Sequence, residues 1–431
     1  MNKKNVLVFP AGSEIGLEIY KSLRFNKKFN LIGASSQDDH AKFVFENYIE
    51  GVPYVEDSDF IEFINKIVKE NAIDYIFPAH DSVVLKLAQN ADDINAKIVT
   101  SSLETATISR SKRMTYEKLK DIVNTPFIYK NAEDVKDYPV FLKPDVGQGS
   151  KGTSTANSVE DIKTSLLKDP QLLILEMLPG DEYTVDCFTD IYGKLIYSRA
   201  RKRAKVKDGI SVNSFSVNGE EFADFAERIN NTINFTGAWF FQVKRDVYGK
   251  LCLLEIAPRI AGTMALSRFL GVNLPLMSLY QLEGNTVSAA VSSNSLYNAV
   301  IDRALANRYS IDYHIEKAYV DFDDTVTFDG RINYLIVAFI YRLVNLDREV
   351  ILITRHSDDI YKTLEKLKLS KDLFSRIIHI KDKSKKSDYI DKRGSIFIDD
   401  SYAERLDVSE SLGIPVFDSA EIAEMLEGVI K

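Results

Sequence analysis

Apolar and polar positions change rhythm twice along the chain. At first, short apolar runs alternate with segments whose apolar residues recur at helical spacing. Asn5–Pro10, Asn30–Ala34, Asp74–Pro78 and Ala96–Thr100 carry the run pattern; Glu14–Phe25, Phe60–Lys69 and Val83–Ala91 carry the helical one. Strands alternating with helices over short connections predict a parallel sheet covered by helices, in a domain of residues 1–105. The middle strands are longer, and several alternate: Tyr183–Phe188, Leu195–Arg203, Ile210–Val217, Ala238–Val247 and Leu251–Ile256. Asp190–Lys194 and Val247–Lys250 have turn composition, so hairpins and an antiparallel sheet are expected, with helices at Ser158–Leu167 and Glu220–Ile233. This second domain is read as 106–312, with the Ser-, Asn- and Ala-rich stretch Ser288–Asn298 at its periphery. Strand–helix alternation then resumes through Ala318–Phe322, Asn333–Val344, Val350–Thr354, Asp359–Lys368, Ile377–Ile380, Ile396–Asp399 and Tyr402–Leu412, predicting a doubly wound third domain at 313–431. The fold class is therefore α/β and α+β, multidomain.

Composition narrows this picture. A chain of 431 residues has room for about three domains at ~150 residues each. With 45% hydrophobic and 27% charged residues it is not a disordered chain. The longest strongly apolar stretch, Tyr334–Tyr341, is far short of the ~20 residues that span a bilayer. The apolar run at the start is broken by Pro10 and reads poorly as a signal peptide. Two cysteines argue against a disulfide framework and fit a reducing, cytoplasmic setting. A net charge of −8 disfavours bulk binding to nucleic acid. No nucleic-acid or membrane partner is expected.

Residues 139–155 read PVFLKPDVGQGSKGTST. A strand ends at Lys143, and Gly147, Gly149 and Gly152 follow around Ser150. Backbone N–H groups of such a loop can crowd around phosphate oxygens, because glycine has no Cβ to block the approach. The spacing is neither a P-loop nor a dinucleotide fingerprint, and a plain flexible connection has the same composition. Further along, a buried-type strand ends in Glu176, and Gln242 and Glu255 occupy two strands joined by a tight turn at Tyr248–Gly249. Counting back from that turn brings them to about the same level, a pairing of amide oxygen and carboxylate that suits Mg²⁺.

Together these motifs resemble the ATP-grasp superfamily, most of all its carbamoyl-phosphate-synthase-like ligase branch, over about residues 1–310. The resemblance implies a Rossmann-like pre-ATP-grasp domain followed by the ATP-grasp fold. By position, Lys112 and Lys143 would hold ATP phosphates, Gly147–Gly152 would close over them, Glu176 to Leu178 would form the adenine hinge, and Glu182 would reach the ribose. Gln242 and Glu255 would hold Mg²⁺, with Mn²⁺ as an alternative, and Arg259 would face the transferred phosphoryl group. The chain departs from the family at Ala257, where an E-I-N-P-R pattern carries Asn; alanine cannot ligate a metal.

Arg199, Arg201, Arg203, Lys205 and Lys207 share one phase of a strand. Such a stripe is either a solvated basic face or, for the three arginines, a substrate anion site. The related ligases place arginines here against the acyl phosphate. Ala11–Gly16 after the first strand reads as a tight turn into a helix, and His80 as a helix cap or a lining residue of that domain. Trp239, Cys187 and Cys252 lie in apolar strands and are expected in the core, and the five histidines show no metal spacing.

The third domain opens with Ala318-Tyr319-Val320-Asp321-Phe322-Asp323-Asp324-Thr325-Val326. Three carboxylates directly after a hydrophobic strand are costly unless a cation sits among them. Asp321 and Asp323 lie on one side of an extended chain, so one can attack phosphorus while the other exchanges a proton with the leaving oxygen. Later strands end in Thr354 and in Asp399-Asp400, and the ends of parallel strands gather at one edge of a sheet. This set resembles the haloacid-dehalogenase-like (HAD) phosphatases, with the D-x-D-x-T-V signature complete at Asp321, Asp323, Thr325 and Val326. The resemblance implies Asp321 as nucleophile, Asp323 as general acid and then base, and Thr354 on the phosphoryl oxygens. Asp321, Asp323, Asp399 and Asp400 would serve a Mg²⁺ site. Lys386 would offset the charge, with Lys383 and Lys385 close enough to compete for that role. Asp329–Leu346 and Ser357–Ile378 have no room for an inserted cap.

The expectation is an ATP-dependent, ADP-forming carboxylate–amine ligase fused to a Mg²⁺-dependent phosphatase. Its partners would be a small carboxylate, an amine and a phosphorylated metabolite, with a homo-oligomer left open. In the alternative, the ATP-grasp region is a nucleotide-binding or substrate-presenting module beside the one working phosphatase.

Overall fold

The computed structural model describes residues 3–207, 209–217, 219–289, 299–309 and 312–427. Most of Ser288–Asn298 lies outside the described residues. The chain divides into two compact units, Met1–Ala304 and Leu305–Lys431.

The first unit opens with β1 (Lys4–Phe9), β2 (Phe29–Ala34), β3 (Asn47–Ile49), β4 (Ile73–Pro78) and β5 (Lys97–Ile98). They pair in parallel in the order β3-β2-β1-β4-β5. Helices Glu14–Leu23, Phe60–Glu70 and Asp81–Gln89 form the crossovers. Winding reverses between β1 and β4, so the loops after these two strands diverge and leave a crevice at their carboxyl ends. Gly12 and Gly16 allow close packing there: a Cβ would meet the Asp39 carboxyl carbon at 2.1 Å and the Ala11 carbonyl oxygen at 2.4 Å.

Two antiparallel sheets follow. β6 (Ile128–Tyr129), β7 (Val140–Pro144), β8 (Ser154–Ala156) and β9 (Leu172–Glu176) run in the order β6-β9-β7-β8. β10 (Glu182–Thr189), β11 (Leu195–Lys207), β12 (Ile210–Val217), β13 (Gly237–Arg245), β14 (Leu251–Ala257) and β15 (Val300–Asp302) run in the order β14-β13-β10-β11-β12-β15. The sequence divides sheets at residue 105, but the cores merge. Val6, Val8 and Phe77 share one apolar cluster with Phe188, Phe240 and Leu274, and the Thr100 hydroxyl donates to the Pro258 carbonyl at 2.9 Å. Trp239 is fully buried and stacked on Phe235, with its N–H satisfied by the Thr189 hydroxyl at 2.8 Å. Cys187 and Cys252 are buried thiols.

The second unit carries β16 (Lys317–Val320), the hairpin of β17 (Thr327–Phe328) and β18 (Arg331–Ile332), then β19 (Glu349–Thr354), β20 (Arg376–His379), β21 (Ser395–Ile398) and β22 (Val416–Phe417). Its main sheet is parallel, in the order β20-β19-β16-β21-β22. Alternate residues feed opposite faces: Val320, Leu352 and Ile398 pack in one cluster, Tyr319, Ile351 and Phe397 in another. A sheet buried on both faces explains the unbroken apolar runs. The connection from β16 to β19 holds the hairpin and the helix Tyr334–Asn345; that from β19 to β20 holds the helix Ile360–Lys366. Among the described residues no helix is long and apolar enough to cross a membrane.

Candidate functional site

The two antiparallel sheets of the first unit face each other across a cavity of about 340 Å³. Lys143 at the end of β7 and Glu176 at the end of β9 line one side; Glu182, Arg203, Gln242 and Glu255, one from each of β10, β11, β13 and β14, line the other. Gln242 and Glu255 are direct register partners, as the hairpin count anticipates. Lys112 enters from the first turn of the helix Lys112–Leu119, which Ser111 caps through the Met114 N–H.

The lysines are buried more fully than their charge favours. Lys112 Nζ donates to the Asp145 carbonyl at 3.1 Å, and burial with the nearby Lys143 ammonium brings its pKa down to about 8. Burial also lowers Lys143, against the pull of Glu255, whose carboxylate lies 3.9 Å away. Glu255 offsets this pair only in part, since burial still holds both ammonium groups below their ordinary pKa.

The glycine-rich loop follows β7. Gly149 and Gly152 adopt φ of 59° and 73° and Ser150 56°, the left-handed region that favours glycine. The tip of the β11–β12 hairpin comes so close that a Cβ on Gly209 would lie 2.4 Å from the Gly149 carbonyl carbon. Gly147 lines the same cavity and its carbonyl accepts from Arg110 at 3.2 Å. The Glu176 carboxylate accepts from the Phe127 N–H at 2.9 Å, fixing the turn that carries buried Leu178.

A second cavity of about 300 Å³ adjoins the first and shares Arg203, Gln242 and Glu255 with it. Its other wall is the switch-point crevice of the first sheet, with Ser13 and Glu14 after β1 and His80 and Asp81 after β4. His80 both caps its helix, accepting from the Ser82 N–H at 3.3 Å, and contacts Gln148 of the glycine loop. Burial lowers its pKa.

The basic stripe divides along its length. Lys205 and Lys207 are exposed, as a solvated face would be. Arg201 is 2% exposed, ion-paired with buried Asp186 and bonded to the Thr263 hydroxyl at 2.9 Å. Arg203 pairs with Glu182 and donates to the Gln242 amide oxygen at 2.9 Å. Arg199, in register with Asp186, has Nε and Nη2 buried without a hydrogen-bond partner among the described residues. Arg259 lines the second cavity but is held by both oxygens of Asp81, at 2.6 and 2.7 Å. Sequence reasoning missed this clamp, because 178 residues separate its members. Ala257 is buried in the shared core.

Residues 168–301 match the family model described as ATP-grasp in the biosynthetic pathway with Ter operon. The fold is ATP-grasp-like. Among solved structures, a biotin carboxylase complex from Campylobacter jejuni is similar at 16% identity, TM-score 0.56, over 69% of this chain and 74% of that one. N5-carboxyaminoimidazole synthetase from Staphylococcus aureus, complexed with ADP, is similar at 14% identity, TM-score 0.58, over 71% and 83%. An L-amino acid ligase from Bacillus licheniformis is similar at 14% identity, TM-score 0.55, over 70% and 79%. No curated protein matches the chain significantly.

Beyond this ATP-grasp-like part, the second unit builds a separate cluster at its own switch point. Val320 is level with Ile398 in the sheet, so Asp321 and Asp399 leave β16 and β21 side by side. Lys386, in the short turn Lys386–Tyr389, is buried between them, with Nζ 2.6 Å from Asp399 and bonded to Asp321. Of the three nearby lysines, Lys385 is instead paired with Asp407 at the surface. Burial raises the pKa of Asp321 and of Asp399 although Lys386 stands between them, since one ammonium neutralises one carboxylate. Oxygens of Asp321, Asp399 and Asp400 lie within 4.8 Å of one another, so a hard cation fits. Asp400 is steadied by Thr325, whose hydroxyl accepts from the Asp400 N–H at 3.0 Å. Asp323, grouped with the metal ligands on sequence grounds, is not part of this trio; its carboxylate turns to His356. Thr354 is fully buried at the end of β19, and its hydroxyl accepts from the His356 N–H at 3.1 Å.

Proposed function

We propose that this protein is an ATP-dependent carboxylate–amine ligase fused to a Mg²⁺-dependent HAD-type phosphatase. In this reading residues 1–105 are a Rossmann-like pre-ATP-grasp domain, 106–312 the ATP-grasp domain and 313–431 the phosphatase. The observation that carries the ligase half is the pair of buried lysines with lowered pKa in a cavity opening into a second chamber. Lys112, Lys143 and the Gly147–Gly152 loop hold the ATP phosphates, Glu176 to Leu178 the adenine and Glu182 the ribose. Gln242 and Glu255 offer oxygen ligands to Mg²⁺, whose charge offsets that of the phosphates. The carboxylate bound in the second chamber attacks the γ-phosphorus; a P–O bond forms and the bond to ADP breaks. The amine nitrogen then attacks the acyl carbon and sheds a proton, and phosphate leaves as the amide forms. Arg259 and the Arg199–Arg203 stripe border this chamber or lie behind it.

The phosphatase half rests on the level placement of Asp321 and Asp399 about Lys386. Asp321 forms the new bond to phosphorus while Asp323 gives its proton to the leaving alcohol oxygen. Asp323, now a carboxylate, then takes a proton from water, whose oxygen displaces phosphate from Asp321. Asp321, Asp399 and Asp400 would hold Mg²⁺, which neutralises phosphoryl charge. Thr354 donates its hydroxyl to the phosphoryl oxygens.

Ala257, where a further oxygen ligand is usual, favours a second reading in which the ATP-grasp part binds nucleotide without turnover. One experiment separates them: ADP formation by the Asp321→Asn protein with Mg²⁺, ATP and a panel of carboxylates crossed with amines. ADP that needs one particular pair and vanishes on Lys143→Ala supports the ligase. AMP overturns the acyl-phosphate chemistry. ATP binding without turnover across the panel favours the binding module.

A further inference from the structure

The His356 imidazole makes a contact that the assigned phosphatase groups leave unexplained. Nδ1 lies 2.9 and 3.1 Å from the two oxygens of Asp323. Nε2 lies 2.9 Å from the Thr363 hydroxyl on the helix Ile360–Lys366. The ring meets Phe322 edge-on at 5.2 Å between centroids. Its backbone is held too, because the His356 carbonyl is 2.7 Å from His379 Nε2 and its N–H reaches Thr354. The imidazole side chain is 11% exposed, whereas the Asp323 carboxylate is 51% exposed. An exposed carboxylate turns freely unless something holds it, and here a locked ring does.

We propose that His356 is a positioning residue that holds Asp323 in the orientation its proton transfer requires; this rests on the phosphatase reading above. The Thr363 hydroxyl can donate or accept, so the ring can present Nδ1–H to the Asp323 carboxyl while Nε2 takes the Thr363 hydroxyl as donor. Both carboxyl oxygens lie within reach of Nδ1, so the ring fixes the orientation of the whole carboxyl group that passes the proton to the leaving oxygen. Nothing covalent happens at His356. Its contribution is orientation, one part of what a positioned general acid supplies.

Orientation of an acid matters in proportion to how much the leaving group needs a proton. The test therefore uses the full chain with Mg²⁺ and a series of substituted phenyl phosphates, from p-nitrophenyl to unsubstituted phenyl. In His356→Ala, kcat should fall about tenfold or more for phenyl phosphate and far less for p-nitrophenyl phosphate, with KM little changed. His356→Asn, whose side-chain amide can take the place of Nδ1–H, should restore most of the loss. Thr363→Val removes the anchor on Nε2 and should steepen the same dependence by a smaller amount, which keeps the proposal testable where His356→Ala does not fold. An equal loss across the series in all three variants would mean that His356 only packs, and would overturn the proposal while leaving the phosphatase intact. A wild-type protein silent towards the whole series would overturn the phosphatase reading and this proposal with it.

Discussion

The ATP-grasp-like cavity and the carboxylate cluster of the second unit show the same electrostatic problem with opposite sign. In the first, Lys112 and Lys143 are held out of water, and burial lowers their pKa values. In the second, Asp321 and Asp399 are held out of water, and burial raises theirs. Each site keeps a partial answer of its own, Glu255 beside Lys143 and Lys386 between the aspartates. Neither answer is complete. A fold that buries like charges in this way spends stability that a bound counter-charge can return. The surplus is positive in one place and negative in the other, and its sign points to the kind of ligand each site would take.

The contrast breaks most visibly if one variant silences both sites. Asp321→Asn should abolish phosphatase activity by ~10³-fold or more and leave ADP formation in place. Lys143→Ala should do the reverse. Parallel assays of phosphate release from phenyl phosphate and of ADP from ATP check this. Loss of both activities in either variant would mean that the two surpluses serve one site.

A charge can also be buried with one counter-charge of its own, and Arg201 is that case, although its Nη2 and Asp186 Oδ1 have no hydrogen-bond partner among the described residues. Its guanidinium pairs with Asp186, which also accepts from the Ser267 hydroxyl at 2.9 Å. Arg201→Leu strands Asp186 and should cost about 3–5 kcal/mol in urea unfolding, whereas replacing both residues by leucine should recover most of that. Recovery separates a structural pair from a binding arginine. An Arg201 whose loss spares stability but weakens substrate binding would return the residue to the substrate site expected from the stripe.

These differences bear on what the sequence could reveal. Strand ends were legible because apolar runs stop at charged residues, so Lys143, Glu176, Asp321 and Asp399 could be named before their neighbours were known. The register of Gln242 with Glu255 followed from a short hairpin, where counting suffices. Long-range partners were not legible. The Arg259–Asp81 clamp, the Arg201–Asp186 pair and the His356–Asp323 contact depend on how sheets meet, and no local spacing encodes them. Short elements were missed as well. β3, β6 and β8 have two or three residues each, too few for any period to show. The helices Leu103–Arg110 and Lys112–Leu119 are largely polar, and only the capping serines Ser102 and Ser111 mark their starts.

The smallest expected effect is also the most specific to the lysine side of the contrast. Lys112 has a pKa of about 8 in the folded protein, below its ordinary 10.5, so the unfolded chain binds more protons between those values. Its contribution to stability therefore rises with pH across that window. A phosphate placed against it acts the other way, favouring the ammonium and raising the pKa again. Near pH 8, where part of the Lys112 population in the free protein is neutral, nucleotide binding should take up a fraction of a proton. Calorimetry of ADP binding in buffers of different ionisation heat reads this number directly. Lys112→Arg should bind ADP without that uptake, because a guanidinium stays charged throughout. Uptake that persists in the arginine variant would assign the proton to another group. Binding with no uptake in the wild-type protein would mean that no phosphate reaches Lys112, and the buried lysines would then need a different counter-ion.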